Sequence, residues 1–194
     1  MGKILISMKG LDCNIYGVIF LLWLASSGIT MASTDEVLSL SEQRYRIALL
    51  LGLVKFGRWP SSAFSNTTEP FTLCLLGSDA TIQALAQIEG TKVRGREIKL
   101  RYFKRIAGLS AQNKCHLFYI ARSNLNPLPA ILRLFSDFPV LTISDQSKFA
   151  EKGGAVEFIR DTNKNQFIVN LSAIERANLK ISAQLLGMGK IIRK

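Results

Sequence analysis

Few side chains of this 194-residue protein are arranged for catalysis, and one combination of them would form a nucleophilic centre if the fold brought it together. His116 is the only histidine, and Ser144 and Asp145 are neighbours in the sequence. A serine, a histidine and an aspartate can act as nucleophile, base and orienting acid, but only if they lie within hydrogen-bond distance of each other. Whether these three can meet depends on the helices and strands that carry them.

Cysteines are the other reactive side chains of the chain. Cys13 lies in an apolar N-terminal segment, so Cys74 and Cys115 are the two that remain in the body of the protein. In an oxidising compartment such an isolated pair favours a disulfide over a metal site or a nucleophile. The alternative is two buried thiols, because free cysteine is commonly buried. One histidine and two cysteines are too few ligands for a zinc or transition-metal cluster, so no metal is expected.

The N-terminal segment indicates the compartment. Lys3 and Lys9 precede a stretch without any Lys, Arg, Asp or Glu, residues 13–34, whose apolar centre is residues 15–24. A basic start, an apolar core of about ten residues and an exit of small residues are typical of a secretory signal.

Small residues stand at the two positions that a signal peptidase reads, and the second of them is Ala32. We therefore expect a signal peptide over residues 1–32, cleavage before Ser33, and one domain over residues 33–194 in the periplasm. An uncleaved anchor is the alternative, since residues 15–31 reach the lower limit for spanning a bilayer.

Beyond the signal, helical and strand patterns alternate along the chain. Strands without polar alternation, separated by helices, indicate a parallel sheet that is covered on both faces. The polar segment 161–165 predicts a turn between the last two strands. The predicted fold is therefore an α/β three-layer sandwich, with a mainly parallel sheet flanked by helices and an antiparallel hairpin at one edge. Helices are predicted over 35–56, 79–88, 127–135 and 171–192, and strands over 71–76, 98–102, 115–120, 140–143, 155–159 and 166–169.

This layout separates the three residues of the catalytic combination. His116 stands at the amino end of its strand, whereas Ser144 and Asp145 follow the strand 140–143 and lie at its carboxyl end. Parallel strands of five residues place these two ends roughly 15 Å apart at about 3.3 Å per residue. A triad is therefore not expected, and His116 is interpreted as a packed histidine.

Ligand sites in such folds lie outside the carboxyl ends of the strands. The candidate residues at that rim are Ser78, Asp79, Ser144 and Asp145. Neither G-x-G-x-x-G nor G-x-x-x-x-G-K-[ST] occurs in the chain, so no nucleotide cofactor is expected. Nothing in these patterns argues for an enzyme.

Two further motifs are interpreted as structural. Gly153 and Gly154 follow a short helical turn and precede a strand, where glycine supplies the backbone freedom that the turn needs. Phe56 and Trp59, at the end of the first predicted helix, are expected to anchor the helix onto the sheet, because large aromatics more often pack than recognise ligands.

The chain is strongly basic, with 25 lysines and arginines against 14 aspartates and glutamates and a net charge of +11. An exported protein meets little nucleic acid, so the charge favours an anionic membrane surface or an acidic protein as partner. Lys99 and Arg101 alternate with apolar residues on a predicted strand and are the candidate basic contact surface; the alternative is a merely solvated strand face. The concentration of charge comprises Lys92, Arg94, Arg96, Lys99, Arg101, Lys104 and Arg105.

Several segments, in order along the chain, resemble the YfiR family of small periplasmic regulators. Residues 140–145 with Phe149, Ala150, Gly153 and Gly154 resemble its signature V-L-T-[VI]-S-D…F-A-x-x-G-G. The other resembling segments are 55–60 (K-F-x-x-W-P), 71–77 (the first strand), 93–98 (V-x-G-R-x-I), 115–120 (C-H-[IL]-[LVF]-[FY]-I) and positions between 170 and 186 (the closing helix). The chain departs from the family pattern at Asn178, where glycine is usual, and it lacks the further cysteine pair of some members.

The resemblance implies a non-enzymatic periplasmic protein without a cofactor. It implies binding to the periplasmic part of an inner-membrane diguanylate cyclase, repression of that enzyme, and release by an outer-membrane lipoprotein, which raises cyclic-di-GMP and favours biofilm. Another membrane sensor, such as a histidine kinase, is an alternative partner. A homodimer is compatible with the sequence.

The second interpretation is a periplasmic small-ligand binding module that uses the carboxyl rim and acts with a sensor kinase or a transporter. A hydrolase of unknown type is a third and weaker interpretation.

Overall fold

The structure is a computed structural model that describes residues 40–110, 113–122, 128–159 and 166–194. The predicted signal peptide, its cleavage site before Ser33 and the predicted turn 161–165 lie outside the described residues. All described residues fall within one compact unit, Val37–Lys194. Within the described ranges, no helix is both long enough and apolar enough to cross a membrane.

Helices and strands alternate along most of the chain, as the sequence predicts. The helices are α1 (Leu40–Phe56), α2 (Ala80–Leu85), α3 (Leu128–Leu134), α4 (Leu171–Arg176) and α5 (Ala183–Leu186). The strands are β1 (Gly57–Arg58), β2 (Phe71–Leu76), β3 (Lys92–Val93), β4 (Arg96–Phe103), β5 (Leu117–Ile120), β6 (Leu141–Ser144), β7 (Val156–Ile159), β8 (Gln166–Asn170), β9 (Lys180–Ile181) and β10 (Lys190–Ile192). Short 3-10 turns occupy Ser61–Ala63, Ala86–Ile88 and Ile106–Gly108.

The described strands form one large sheet and one small one. The large sheet has eight strands in the order β10-β8-β7-β6-β5-β2-β4-β3, and the small antiparallel sheet pairs β1 with β9. In the large sheet β4, β2, β5, β6 and β7 are parallel to each other, whereas β3, β8 and β10 run in the opposite direction. The predicted α/β fold with a mainly parallel sheet is confirmed.

The predicted hairpin is the antiparallel pair β7–β8, in which Val156 lies opposite Val169. It is not the outermost pair on its side of the sheet, because β10 adds to β8 in parallel.

Two separate cores cover the two faces of the sheet. Leu73 and Tyr119 point into the first core, to which α1, α2, α4 and α5 contribute. Cys74 and Phe118, their neighbours along the same strands, point into the second core, which α3 covers. All six residues of β2 are buried, because the strand is covered on both faces.

The predicted disulfide between Cys74 and Cys115 is confirmed, and the two Cα atoms lie 5.7 Å apart. Cys74 lies on β2, and Cys115 lies just before the neighbouring strand β5. The bond closes a sequence separation of 41 residues within the second core. Such a cross-link stabilises a fold by roughly 2–4 kcal/mol, mainly by restricting the unfolded chain.

The expected single helix over 171–192 is wrong. The segment instead contains α4, β9, α5 and β10. Asn178 ends α4 because it adopts a left-handed conformation with φ 53°. The Asn178 N–H donates to the Glu175 carbonyl at 2.9 Å and the Leu179 N–H donates to the Ile174 carbonyl at 3.0 Å, which together form a Schellman motif. The Ser182 side chain then caps the short helix α5.

Replacing Asn178 tests this helix end, and we expect the core to stay unchanged because the residue is exposed. Asn178→Ala should lower the free energy of unfolding by about 1 kcal/mol, because alanine is strained at positive φ. Asn178→Gly is the matched control and should equal or exceed the parent. Urea denaturation measures both, and an alanine variant as stable as the glycine variant would contradict the motif.

Candidate functional site

The carboxyl ends of β2 and β6 bring together three of the four predicted rim residues in one hydrogen-bonded region. Asp79 caps α2: its Oδ1 accepts from the Ile82 N–H at 2.8 Å, and its Oδ2 accepts from the Tyr119 hydroxyl at 3.1 Å. Burial raises the pKa of Asp79 above its usual value, and burial likewise raises that of the Tyr119 hydroxyl well above its usual value. Tyr119 therefore remains a protonated donor. The fourth rim residue, Ser78, precedes the cap and is exposed.

Ser144 is the last residue of β6, Asp145 follows it, and both are buried. The Ser144 hydroxyl donates to the Ile120 carbonyl at 2.8 Å and accepts from the Gln146 N–H at 3.1 Å, so it ties two neighbouring strand ends together. The Oδ2 of Asp145 accepts from Arg46 Nη1 at 3.1 Å. These contacts give Ser144 and Asp145 roles inside the domain.

Arg46 is the central residue of this rim, and it is not among the candidate residues predicted from the sequence. Its side chain comes from α1 and is only 2% exposed. Besides Asp145, its guanidinium donates to Thr81 Oγ1 at 2.7 Å and to Glu42 Oε1 at 2.8 Å. It also lies 5.5 Å from the centre of the Phe158 ring, which is a cation–π distance.

One signal in the sequence points to Arg46. It lies among mostly apolar residues of α1, at a position where an exposed arginine would interrupt the buried face. A buried arginine requires an acidic partner, and Asp145, after an apolar strand, is such a partner. Their separation of 99 residues is the reason why the pair could not be assigned from local pattern.

His116 lies at the other end of the sheet, as predicted, and is buried. Its Nδ1 accepts from the Thr72 N–H at 2.9 Å, and its Nε2 lies 3.0 Å from the Ala63 carbonyl, to which it donates. The ring also stacks on Phe64 with 4.3 Å between ring centres. Both nitrogens are satisfied in the neutral form only, and burial lowers the pKa of His116. His116 is thus a structural residue away from Ser144 and Asp145.

Trp59 fixes the end of α1 near His116. Its indole Nε1–H donates to the His116 carbonyl at 3.1 Å, and its ring meets Phe71 edge-on with 4.8 Å between centres. Gly57 makes this approach possible, because a Cβ there would come within 2.4 Å of the Leu53 carbonyl oxygen and 2.7 Å of the indole ring.

The segment with Gly153 and Gly154 is a turn held by side chains of the domain. A Cβ on Gly154 would come within 2.1 Å of the Phe149 ring, so only glycine fits beneath that ring. Buried Glu157 accepts from the backbone N–H groups of Lys148 and Ala150 at 2.9 and 3.1 Å. These contacts agree with the structural interpretation of the two glycines.

Lys99 and Arg101, the predicted basic contact surface, are exposed on β4. They lie two residues apart and so share one face of the strand. Arg101 Nη1 donates to the Asn113 carbonyl at 2.9 Å. Within the described ranges, no group of His, Cys, Asp and Glu side chains has an arrangement that could hold a metal ion.

We predict that Arg46 is required for stability. Arg46→Met leaves Asp145 in the interior without its cationic partner and should lower the free energy of unfolding by about 3–5 kcal/mol. Arg44→Met is the matched control, since Arg44 is exposed on the same helix and should change stability by less than about 0.5 kcal/mol. Chemical denaturation measures the free energy of unfolding of both variants. Equal losses would contradict the prediction that the buried contacts of Arg46 are required for stability.

A second prediction concerns pH. The folded pKa of His116 lies below the unfolded value of about 6.5. Between these two pKa values the unfolded chain binds more protons than the folded chain. The stabilisation that neutral His116 gives to the fold is therefore fully present above about pH 6.5 and is lost as the pH falls towards the folded pKa. The free energy of unfolding, measured by urea titration, should decrease over this window.

His116→Gln provides the control, because the chain then has no histidine. The variant will be less stable overall, but its pH dependence just below about 6.5 should be flatter than that of the parent. An unchanged slope would assign the dependence to other groups.

Comparison with known proteins agrees with this fold. One similar solved structure is described as the ABC domain in complex with L-Trp from Streptococcus pneumonia, with a TM-score of 0.50 and 10% sequence identity. The match covers 78% of this chain and 60% of that chain. This chain thus spans less than two thirds of that protein's length, and the likeness concerns the fold alone. No curated protein matches the chain.

A family model described as YfiR/HmsC-like matches residues 43–190, which include every described element from most of α1 to the start of β10. The match covers more than half of the 194 residues. The chain therefore belongs to the YfiR/HmsC-like family, which is regulatory rather than catalytic and suggests a periplasmic regulator of cyclic-di-GMP signalling.

Proposed function

We propose that the mature protein is a periplasmic repressor that binds the periplasmic part of a membrane-bound signalling enzyme. A diguanylate cyclase is the first candidate for that enzyme, and another membrane sensor, such as a histidine kinase, is the alternative. An outer-membrane lipoprotein that competes for the repressor would relieve the repression. Export by the signal over residues 1–32 would place the domain beside such sensor regions.

The observation that carries this proposal is that the side chains best suited to catalysis are engaged within the fold. Asp79 caps a helix, Ser144 joins two strand ends, and Asp145 is paired with Arg46. His116 is bonded through both ring nitrogens at the other end of the sheet. A domain organised in this way acts through its surface, which agrees with the regulatory character of the family.

Repression by binding requires that the protein favour the inactive state of the enzyme. A ligand with equal affinity for both states shifts nothing, however tightly it binds. A rigid domain suits this task, because less conformational entropy is lost when it binds. The disulfide and the buried pair of Arg46 with Asp145 support such rigidity.

Lys99 and Arg101 are the exposed residues that we assign to the contact with the partner. Both are cationic and lie on one face of β4, so they would steer the protein towards an acidic sensor domain or an anionic membrane surface. The positive net charge of the chain acts in the same direction at longer range.

A small-ligand module at the carboxyl rim has less support. Asp79, Ser144 and Asp145 already accept or donate hydrogen bonds inside the domain, and Arg46 lies between α2 and β6 where a ligand would have to enter. Ser78 is the exposed member of the four.

The function is tested by deleting the gene. Cellular cyclic-di-GMP should rise if the partner is a cyclase, and a copy without residues 1–32, which stays in the cytoplasm, should not restore the original level. Unchanged cyclic-di-GMP together with unchanged kinase output would contradict the proposal.

The contact surface is tested by charge reversal in the complemented deletion strain. Lys99→Glu with Arg101→Glu should weaken repression, because two steering charges become repulsive. Lys180→Glu with Lys190→Glu is the matched control, since both lysines are exposed on β9 and β10, away from β4. Equal loss in the two double variants would show that Lys99 and Arg101 do not form a specific contact, but it would not contradict the proposal that the protein is a repressor.

A further inference from the structure

A second concave site lies at the amino end of the sheet, opposite the rim. Its volume is about 390 Å³, within the usual range for small-molecule sites. We call it the three-arginine pocket; its lining includes Arg58, Arg94, Arg96, Trp59, Phe64 and Phe71.

Arg94 occupies an unusual backbone position at this pocket. It forms the two-residue turn between β3 and β4 together with Gly95, and the two residues have φ values of 52° and 79°. Such turns favour asparagine, aspartate or glycine, because other side chains are strained at positive φ. Arg94 Nη1 donates to the Gly57 carbonyl at 2.8 Å, which holds the guanidinium at the pocket. Strained residues of this kind cluster at functional sites.

Arg96 is held beside it by different contacts. Its Nη1 donates to the Glu69 carbonyl at 2.6 Å, and its guanidinium lies 3.8 Å from the centre of the Phe64 ring. Phe64 in turn stacks on buried His116, so the arginine rests on a fixed aromatic support. Arg58 is supplied by β1, which α1 positions directly.

Within the described part of the chain, no carboxylate forms an ion pair with any of these three arginines. Each of the bonds made by Arg94 and Arg96 uses one N–H group and a neutral carbonyl. A guanidinium has five N–H donors, so most donors stay available. The pocket therefore concentrates positive charge and donors beside the apolar rings of Trp59 and Phe71.

We propose that the three-arginine pocket binds a small organic phosphate, with the phosphoryl group among Arg58, Arg94 and Arg96 and the apolar part against Trp59 and Phe71. Guanidinium groups match the geometry of phosphate oxygens in bidentate pairs, and three of them favour a dianion over a singly charged carboxylate. The binding does not depend on the proposed repression, because it is tested on the purified protein without a partner.

Isothermal titration calorimetry with phenyl phosphate tests the pocket, with phenol and benzoate as probes that lack the phosphate. Phenyl phosphate should bind in a saturable manner to the full mature chain, and phenol and benzoate should bind at least about tenfold more weakly. Arg94→Gly should weaken phenyl phosphate binding by about tenfold or more, since it removes charge-assisted hydrogen bonds.

The variants separate binding from folding. Arg94→Gly should keep its melting temperature, because glycine accepts the positive φ without strain. Arg96→Lys preserves the charge but not the planar fork, and should also weaken binding. Arg105→Gln is the matched control: Arg105 is exposed beyond the carboxyl end of β4, and its loss should leave binding within about twofold, apart from long-range screening.

Three results would overturn the proposal. They are the absence of saturable phenyl phosphate binding, binding of benzoate as tight as that of phenyl phosphate, and an equal loss of binding in Arg94→Gly and Arg105→Gln. The last result would mean that the overall positive charge, rather than the pocket, attracts the anion.

Discussion

The buried guanidinium of Arg46 is the interaction on which the rest of the domain depends. It connects α1 to the start of α2 through Thr81 and to the end of β6 through Asp145, so one side chain joins three elements that are distant in sequence. A buried ion pair costs desolvation energy and is not by itself a source of net stability. Breaking the pair leaves an uncompensated buried charge, so α1 is favoured on the sheet where Arg46 meets its acceptors. We regard this as the constraint that fixes the register of the first helix layer.

At the opposite end of the sheet, aromatic packing and neutral hydrogen bonds perform the equivalent task. The Trp59 indole donates to the His116 carbonyl, and the His116 ring bridges Thr72 and Ala63. The histidine is neutral in this arrangement because its Nδ1 accepts a hydrogen bond from the Thr72 N–H and must therefore be unprotonated. Together with Arg46, these contacts fix α1 at both ends.

The proposed functions therefore use the surface of the domain and the amino end of its sheet. The carboxyl rim, where ligands bind in many open α/β sheets, is filled here by the partners of Arg46. The amino end instead presents Arg94 and Arg96 on the β3–β4 hairpin. A domain with a rigid centre and a basic periphery suits recognition, and the family to which it belongs is regulatory.

The sequence by itself determined the α/β class, the mainly parallel sheet and the Cys74–Cys115 disulfide, because these follow from local apolar patterns and from the number of cysteines. It also placed His116 at the end of the sheet away from Asp145. Only the tertiary structure decided that Asp145 pairs with Arg46 and that the segment after Leu171 breaks at Asn178 into short helices and strands. The physical reason is range: periodicity reports which face is buried, whereas a pair of charges 99 residues apart, or a left-handed residue that ends a helix, depends on what the folded chain places beside it.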